Sequence, residues 1–303
     1  AYCKRWGVCA IIDSFLEGEP RMEIECRAPA GVAEQLTTDV CVRKSQMSFW
    51  KMLILGILAG AYIAFGAELS TIVGHDLAGH LGVGLARLLQ GTAFSVGLML
   101  VVIAGAELFT GNNLIMLSVL DGKISVWRLL YNWAVIYMAN LAGSLIIVLL
   151  MYWSGLWEMN NLGMGVYAMS IANAKVNLSF LEAFARGVGC NWLVCLAIWM
   201  AMASRDVVGK IFAIFFPITA FVASGFEHSV ANMYFIPMGI FMVNTPSVIQ
   251  SAGNAFDISA LNWYGFFVKN LIPVTLGNIV GGAGFVAGLY WLAYVRKGKA
   301  QKT

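Results

Sequence analysis

The sequence predicts an all-α integral membrane protein of six transmembrane helices, built as two similar halves of three, with the second and fifth helices broken. Three observations carry that expectation. Of the 303 residues 60% are hydrophobic and only 12% charged, with a mean hydropathy of +0.77, whereas an ordinary soluble domain carries about 25% charged residues. The apolar residues run in segments long enough to cross a hydrocarbon core, which takes about 20 helical residues. The frame G-x-E-x-x-x-x-N occurs twice, as GAELFTGN at 105–112 and GFEHSVAN at 225–232.

The spans fall at about 49–73, 84–108, 126–153, 182–203, 208–242 and 264–295, and their connections set the orientation. Arg43, Lys44 and Lys51 precede the first span, Lys123 and Arg128 lie between the second and third, Arg205 and Lys210 between the fourth and fifth, and Arg296, Lys297, Lys299 and Lys302 follow the last. Basic residues concentrate on the cytoplasmic side, so these four regions and both termini are expected there. HDLAGHLG and the stretches 157–177 and 244–265 hold few basic residues and are expected outside. The net charge of +3 is mostly this topological signal; it argues against a nucleic-acid partner.

Residues 1–27 form a cytoplasmic lead. Its first 21 residues have no signal-peptide pattern, because DSFLEGEPR interrupts a very short apolar run; they read as disordered or foreign to the native start. The segment opened by Met22, MEIECRAPAGVAEQLTTDVCVRK, reads as an amphipathic helix. The membrane domain spans 28–295, and 296–303 is a basic cytoplasmic tail. Cys3, Cys9, Cys26 and Cys41 lie on the cytoplasmic side ahead of the first span, while Cys190 and Cys195 share one apolar helix, five apart and on different faces. All six read as free thiols, without a zinc site.

Each half also carries a later N-x-x-G, Asn140 to Gly143 and Asn278 to Gly281. Three spans per half give the halves opposite orientations, the inverted-repeat plan whose site lies at the pseudo-twofold axis near the bilayer midplane. A glycine beside polar residues in mid-hydrophobe reads as a helix break, which survives at membrane depth only where protein or an aqueous cavity satisfies the backbone. Broken ends present free N–H groups and a positive dipole end, and two such ends meeting at the midplane make an anion site. Close packing is the other use of glycine in membrane helices, and either element alone is compatible with it. Charge shifts the balance: Glu107, Glu227 and His228 would each cost about 2.5 kcal/mol or more at the centre of a lipid-facing helix, so they are expected to face an interior or a pathway. His75 and His80, at i, i+5 in the outer loop, have a poor metal spacing and read as solvated. No metal and no cofactor is expected. Nor is an enzyme, since one histidine beside one glutamate lacks the nucleophile, base and orienter of a catalytic site.

Together AGAELFTGNN, GVGCNWLVCLAIWMA, SGFEHSVANMYFIPMGI and KNLIPVTLGNIVGG strongly resemble the formate/nitrite transporter family, over about residues 28–295. The resemblance implies an aquaporin-like arrangement, a homopentamer in the prokaryotic inner membrane, and a pore in each protomer surrounded by lipid. Carried over by position, Thr110 in the loop interrupting helix 2 and His228 at the break in helix 5 form the polar centre, with Glu227 beside the histidine and Asn278 a pore-facing amide on helix 6. Leu98, Leu108 and Phe109 match the cytoplasmic constriction, and Phe94 and Phe221 the outer one. Lys175, in the outer loop, matches an anion-attracting lysine, and Asn191 a polar residue near it. The implied activity is transport of small monovalent weak-acid anions, formate foremost, as a passive channel or in symport with protons. A bare charge is costly between two apolar constrictions, so a histidine that protonates or polarises the anion lets it cross as a neutral species. The loop reads TGNN where the best-known formate channels read TST, which leaves nitrite, hydrosulfide and lactate or acetate open. A water or glycerol channel is the alternative of a different class; it would carry paired N-P-A elements where TGN and VAN stand here.

Overall fold

The computed structural model describes residues 26–296 except Asn254 and Phe256. Cys3, Cys9, the lead up to residue 25 and the tail lysines Lys297, Lys299 and Lys302 lie outside the described residues. All regular elements among the described residues are helices; a helix satisfies its backbone internally, as an apolar surround requires.

Helix α1 (Pro29–Gln35) starts on proline at its first position, where a missing N–H costs nothing. Just before it, Arg27 donates its backbone N–H to the Ala203 carbonyl at 2.9 Å and its guanidinium to that of Met202 at 2.9 Å. Helical turns continue through α2 (Cys41–Ser45). There follow α3 (Phe49–Gly74), α4 (Leu77–Gly105), α5 (Gly111–Leu120), α6 (Val126–Ser154), α7 (Gly163–Val176), α8 (Phe180–Ala203), α9 (Val207–Ala223), α10 (Ser229–Val243), α11 (Pro246–Ala252) and α12 (Gly265–Val295). Five of these, α3, α4, α6, α8 and α12, are long and apolar enough to cross a membrane.

The expected fifth span at 208–242 consists of two shorter apolar helices, α9 and α10, with 224–228 between them. After α4 the chain likewise leaves helical geometry, at Ala106 (φ −140°, ψ 170°), and resumes at Gly111. The glycine opening each repeated frame explains both departures: Gly105 has φ +87° and Gly225 φ +74°, left-handed values that interrupt the helical ladder and that only glycine adopts freely. The stretch 157–177, expected as loop, contains α7, whose buried residues are mostly small or methionine (Gly165, Ala168, Met169, Ala172) and give a weak periodic signal.

α3 packs against α4 and α6, α8 packs against α9 and α12, and α4 meets α9 between these two groups. The glycines of the two N-x-x-G frames set the same close approach in each. A Cβ on Gly143 would stand 1.9 Å from the Ile57 carbonyl oxygen on α3, and one on Gly281 2.3 Å from that of Val188 on α8, so only glycine permits these crossings. Trp50, Trp127 and Trp153 lie on the outside with large exposed apolar neighbours.

Candidate functional site

The two repeated frames are held by the same set of bonds. In the first, Glu107 N–H donates to the Leu55 carbonyl (3.1 Å), and the Asn140 side chain donates to the carbonyls of Glu107 (3.0 Å) and Gly56 (2.8 Å) while accepting from Phe109 N–H (2.9 Å). In the second, Glu227 N–H donates to the Arg186 carbonyl (3.2 Å), and Asn278 donates to the carbonyls of Glu227 (3.0 Å) and Gly187 (2.8 Å) while accepting from Ser229 N–H (2.9 Å). One asparagine per frame thus takes up two backbone groups that the break leaves without helical partners, a carbonyl and an N–H, and ties them to a carbonyl of the neighbouring helix; buried and unpaired, such groups are costly. Asn278 was expected as a pore-facing amide. It is fully buried, with both ends of its amide engaged by backbone.

The frame glutamates are treated alike. Lys44 Nζ lies 2.9 Å from both carboxylate oxygens of Glu107 and 3.1 Å from Asn112 Oδ1. Lys175 Nζ lies 2.8 Å from Glu227 Oε1, and Asn232, the last residue of the frame, donates to Glu227 Oε2 at 2.7 Å. A further asparagine completes each set: Asn132 donates to the Lys44 carbonyl (3.3 Å) and Asn270 to the Lys175 carbonyl (3.0 Å). Lys175, expected in the outer loop, sits in the last turn of α7 with its side chain 15% exposed. Lys44, Asn132 and Asn270 were not anticipated as site residues. Two lysines facing two frame glutamates was the available signal, but their unequal distances along the chain conceal it.

Between the frames the two breaks meet. Thr110 Oγ1 and His228 Nε2 are 3.0 Å apart, and both residues are buried. His228 caps α10, its Nδ1 accepting from Ala231 N–H at 3.0 Å. A nitrogen that accepts from a backbone donor carries no proton itself, so the bond network assigns the neutral ring's proton to Nε2, which then donates to Thr110. Adding a second proton at Nδ1 would break the cap. Asn191, expected near Lys175, instead donates to the carbonyls of Thr110 (3.3 Å) and Asn278 (2.7 Å) at this centre. Cys195, one turn on, also reaches the Thr110 carbonyl, at 3.5 Å. Cys26, Cys41, Cys190 and Cys195 are free thiols.

Apolar side chains adjoin the centre. Phe94 and Phe221 meet edge to face at 5.5 Å, and Phe221 stacks on the His228 ring at 6.0 Å. Leu98, Leu108 and Phe109 are buried within the same apolar cluster, the Phe109 ring packing edge-on against Tyr137 (4.9 Å) and Trp133 (5.9 Å). A cavity of about 240 Å³ reaches His228, Glu227 and Lys175; another of about 450 Å³ reaches Leu108, Glu107 and Lys44. Thr110 lines neither of the two. His80 is exposed as expected, but His75 is half-buried, with Nδ1 2.6 Å from the Ile72 carbonyl oxygen at the end of α3.

Fold and site define a helical membrane protein in which two matched frames enclose a polar centre between two cavities. The profile described as Formate/nitrite transporter matches residues 32–292. The probable formate transporter of Methanothermobacter thermautotrophicus is 45% identical over 287 residues, spanning 89% of this chain and 98% of that protein. Formate channel FocA of Escherichia coli (strain K12) is 39% identical over 272 residues, spanning 89% and 95%. Among solved structures, a pentameric formate channel with formate bound superposes with a TM-score of 0.74 at 42% identity, covering 82% of this chain and 98% of that one. The chain belongs to the formate/nitrite transporter family.

Proposed function

We propose that this protein carries formate across the prokaryotic inner membrane, as a homopentamer with one pathway per protomer and His228 as the group that gives the anion its hydrogen bond or proton. The observation that carries the reading is the Thr110–His228 contact at 3.0 Å, where two helix breaks meet between two cavities. The names of the relatives support formate as the substrate, and the formate-bound pentameric structure supports the assembly. In this reading the membrane domain 28–295 has six spans in an inverted repeat. α4 with α5 forms the broken second span and α9 with α10 the broken fifth, and both termini are cytoplasmic. The matched bonds of the two frames support that arrangement.

An anion leaving water for the aromatic zone of Phe94 and Phe221 loses hydration that only a positioned donor replaces. His228 Nε2–H is such a donor and turns from Thr110 to the anion. A proton taken up at Nδ1 from the aqueous side, which releases the Ala231 cap, lets Nε2 pass its own proton to formate; the ring ends neutral and formic acid crosses the apolar zone. A strong-acid anion gains nothing from this step, so basicity selects the substrate. Proteoliposomes given labelled formate, nitrite and hydrosulfide, with internal pH recorded, test the proposal. Formate uptake with matching proton entry is expected; uptake of nitrite or hydrosulfide without formate would move the assignment to that anion.

A further inference from the structure

Lys175 cannot by itself make the outer cavity attractive to anions, because its ammonium is paired with Glu227 at 2.8 Å and that carboxylate also takes Asn232. Two more cations line the same cavity, Arg87 from α4 and Arg186 from α8. Among the described residues, neither has a carboxylate within salt-bridge distance. Three cations and one carboxylate therefore face this space, and its surplus positive charge belongs to the arginines. Glu182, one turn before Arg186, is occupied in a capping box, its Oε2 accepting from Ser179 N–H (2.9 Å) and Oγ (2.7 Å). The Arg87 guanidinium lies over the break itself: a Cβ on Gly225 would stand 3.4 Å from Arg87 Nη1. Beside it, Gln90 Nε2 donates to the Tyr167 hydroxyl oxygen at 2.6 Å, which leaves the hydroxyl proton free to be donated onward.

From this we infer an outer capture site for small carboxylates, formed by the Arg87 guanidinium with Arg186 and the Tyr167 hydroxyl, from which the anion is handed inward past Phe94 and Phe221 to His228. Resting on formate transport as proposed above, it names the residues that bind before the central histidine does. The carboxylate class follows from the donor geometry: a planar guanidinium presents two parallel N–H groups that match two carboxylate oxygens, a match an ammonium lacks. Hydrosulfide, with a single anionic centre, gains only the charge.

Sided uptake into right-side-out and inside-out vesicles tests the site, with formate and hydrosulfide as probes. Arg87→Gln and Arg186→Gln are expected each to raise the half-saturating formate concentration from the outer side about five-fold, the size of a solvated ionic contact, with no change from the inner side. Arg87→Lys keeps the charge, and is expected to weaken formate more than hydrosulfide. If Arg87→Gln pentamers half-saturate with outside formate at the wild-type concentration, the site is overturned. Equal weakening of both anions by Arg87→Lys overturns the carboxylate match, and this variant decides alone if Arg87→Gln fails to assemble. Absence of formate uptake by the wild-type protein would count against the transport reading itself; wild-type uptake with unaffected arginine variants would count only against the capture site.

Discussion

His228 combines two roles that a single substitution separates. Its Nδ1 caps α10 and its Nε2 reaches Thr110. Asparagine is a good cap and its side-chain oxygen accepts the same Ala231 N–H, so His228→Asn is expected to assemble normally. What it loses is a titratable donor aimed at the substrate. A hydrogen bond to a charged group contributes about 1.5 to 3 kcal/mol, and formate transport should fall by about ten-fold or more and lose its dependence on pH. Uptake by reconstituted protein as a function of pH is the measurement; a wild-type rate and profile would reduce the ring to a helix cap. Glu107 offers a second test. Its carboxylate holds Lys44, whose side chain keeps 30% exposure, so Glu107→Gln leaves a half-buried ammonium without its counter-charge. A stranded buried charge costs about 3 to 5 kcal/mol, and the exposure places this one near 3. The double variant Lys44→Met, Glu107→Gln removes the stranded charge and should recover much of the loss. Thermal midpoints in detergent compare the two, and a double variant less stable than the single would show that the pair itself stabilises the fold.

At the scale of the element, the helix breaks depend on glycine for backbone freedom and the helix crossings on glycine for space. At Gly105 (φ +87°) an added Cβ meets nothing within 4 Å, so Gly105→Ala carries only the cost of a left-handed conformation, about 1 to 2 kcal/mol. At Gly281 the Cβ would stand 2.3 Å from a backbone carbonyl, and the two helices must separate along their length. Gly281→Ala is therefore expected to lower the unfolding midpoint more than Gly105→Ala. The reverse order would mean that the crossing relaxes more easily than the break. Sequence alone brought out the three frame positions, glycine, glutamate and asparagine, by repetition, and the asparagines Asn140 and Asn278 by their shared N-x-x-G. It did not bring out Asn132, Asn270 or Lys44: the two asparagines stand eight residues before Asn140 and Asn278, a shared spacing whose meaning appears only once α6 and α12 have packed, and Lys44 meets its frame only through α2.

For the whole molecule, the large apolar residues left exposed on one protomer, among them Trp127 at 76% and Trp153 at 75%, are too extensive a surface for a soluble monomer. In the proposed assembly lipid and neighbouring protomers cover them. Native mass spectrometry should find a species of five copies of the 32.9 kDa chain; a stable monomer or trimer would overturn the assembly. The family match starts at residue 32, and deletion of residues 1–21 is expected to leave both this species and formate uptake unchanged. Loss of either would give that segment a role. Deleting through Arg27 is a different experiment, because that residue fastens the start of α1 to the end of α8.

Composition and hydropathy settled by themselves that this chain is built for a membrane, since the count of apolar and charged residues does not depend on how they are arranged. The repeated frame and the cost of burying Glu107, Glu227 and His228 likewise singled out the two places where ordinary spanning helices fail. Only the tertiary structure decided what each polar group faces. Lys175 is paired with Glu227, Asn191 and Asn278 serve the backbone of the breaks, and in the cavity beside His228 the cations without an ion-pair partner among the described residues are Arg87 and Arg186. The reason is physical: a side chain's chemistry is written in its own residue, but its partner is chosen by close packing between helices far apart in the chain, and in a membrane interior that partner determines whether a charge is free to meet a substrate.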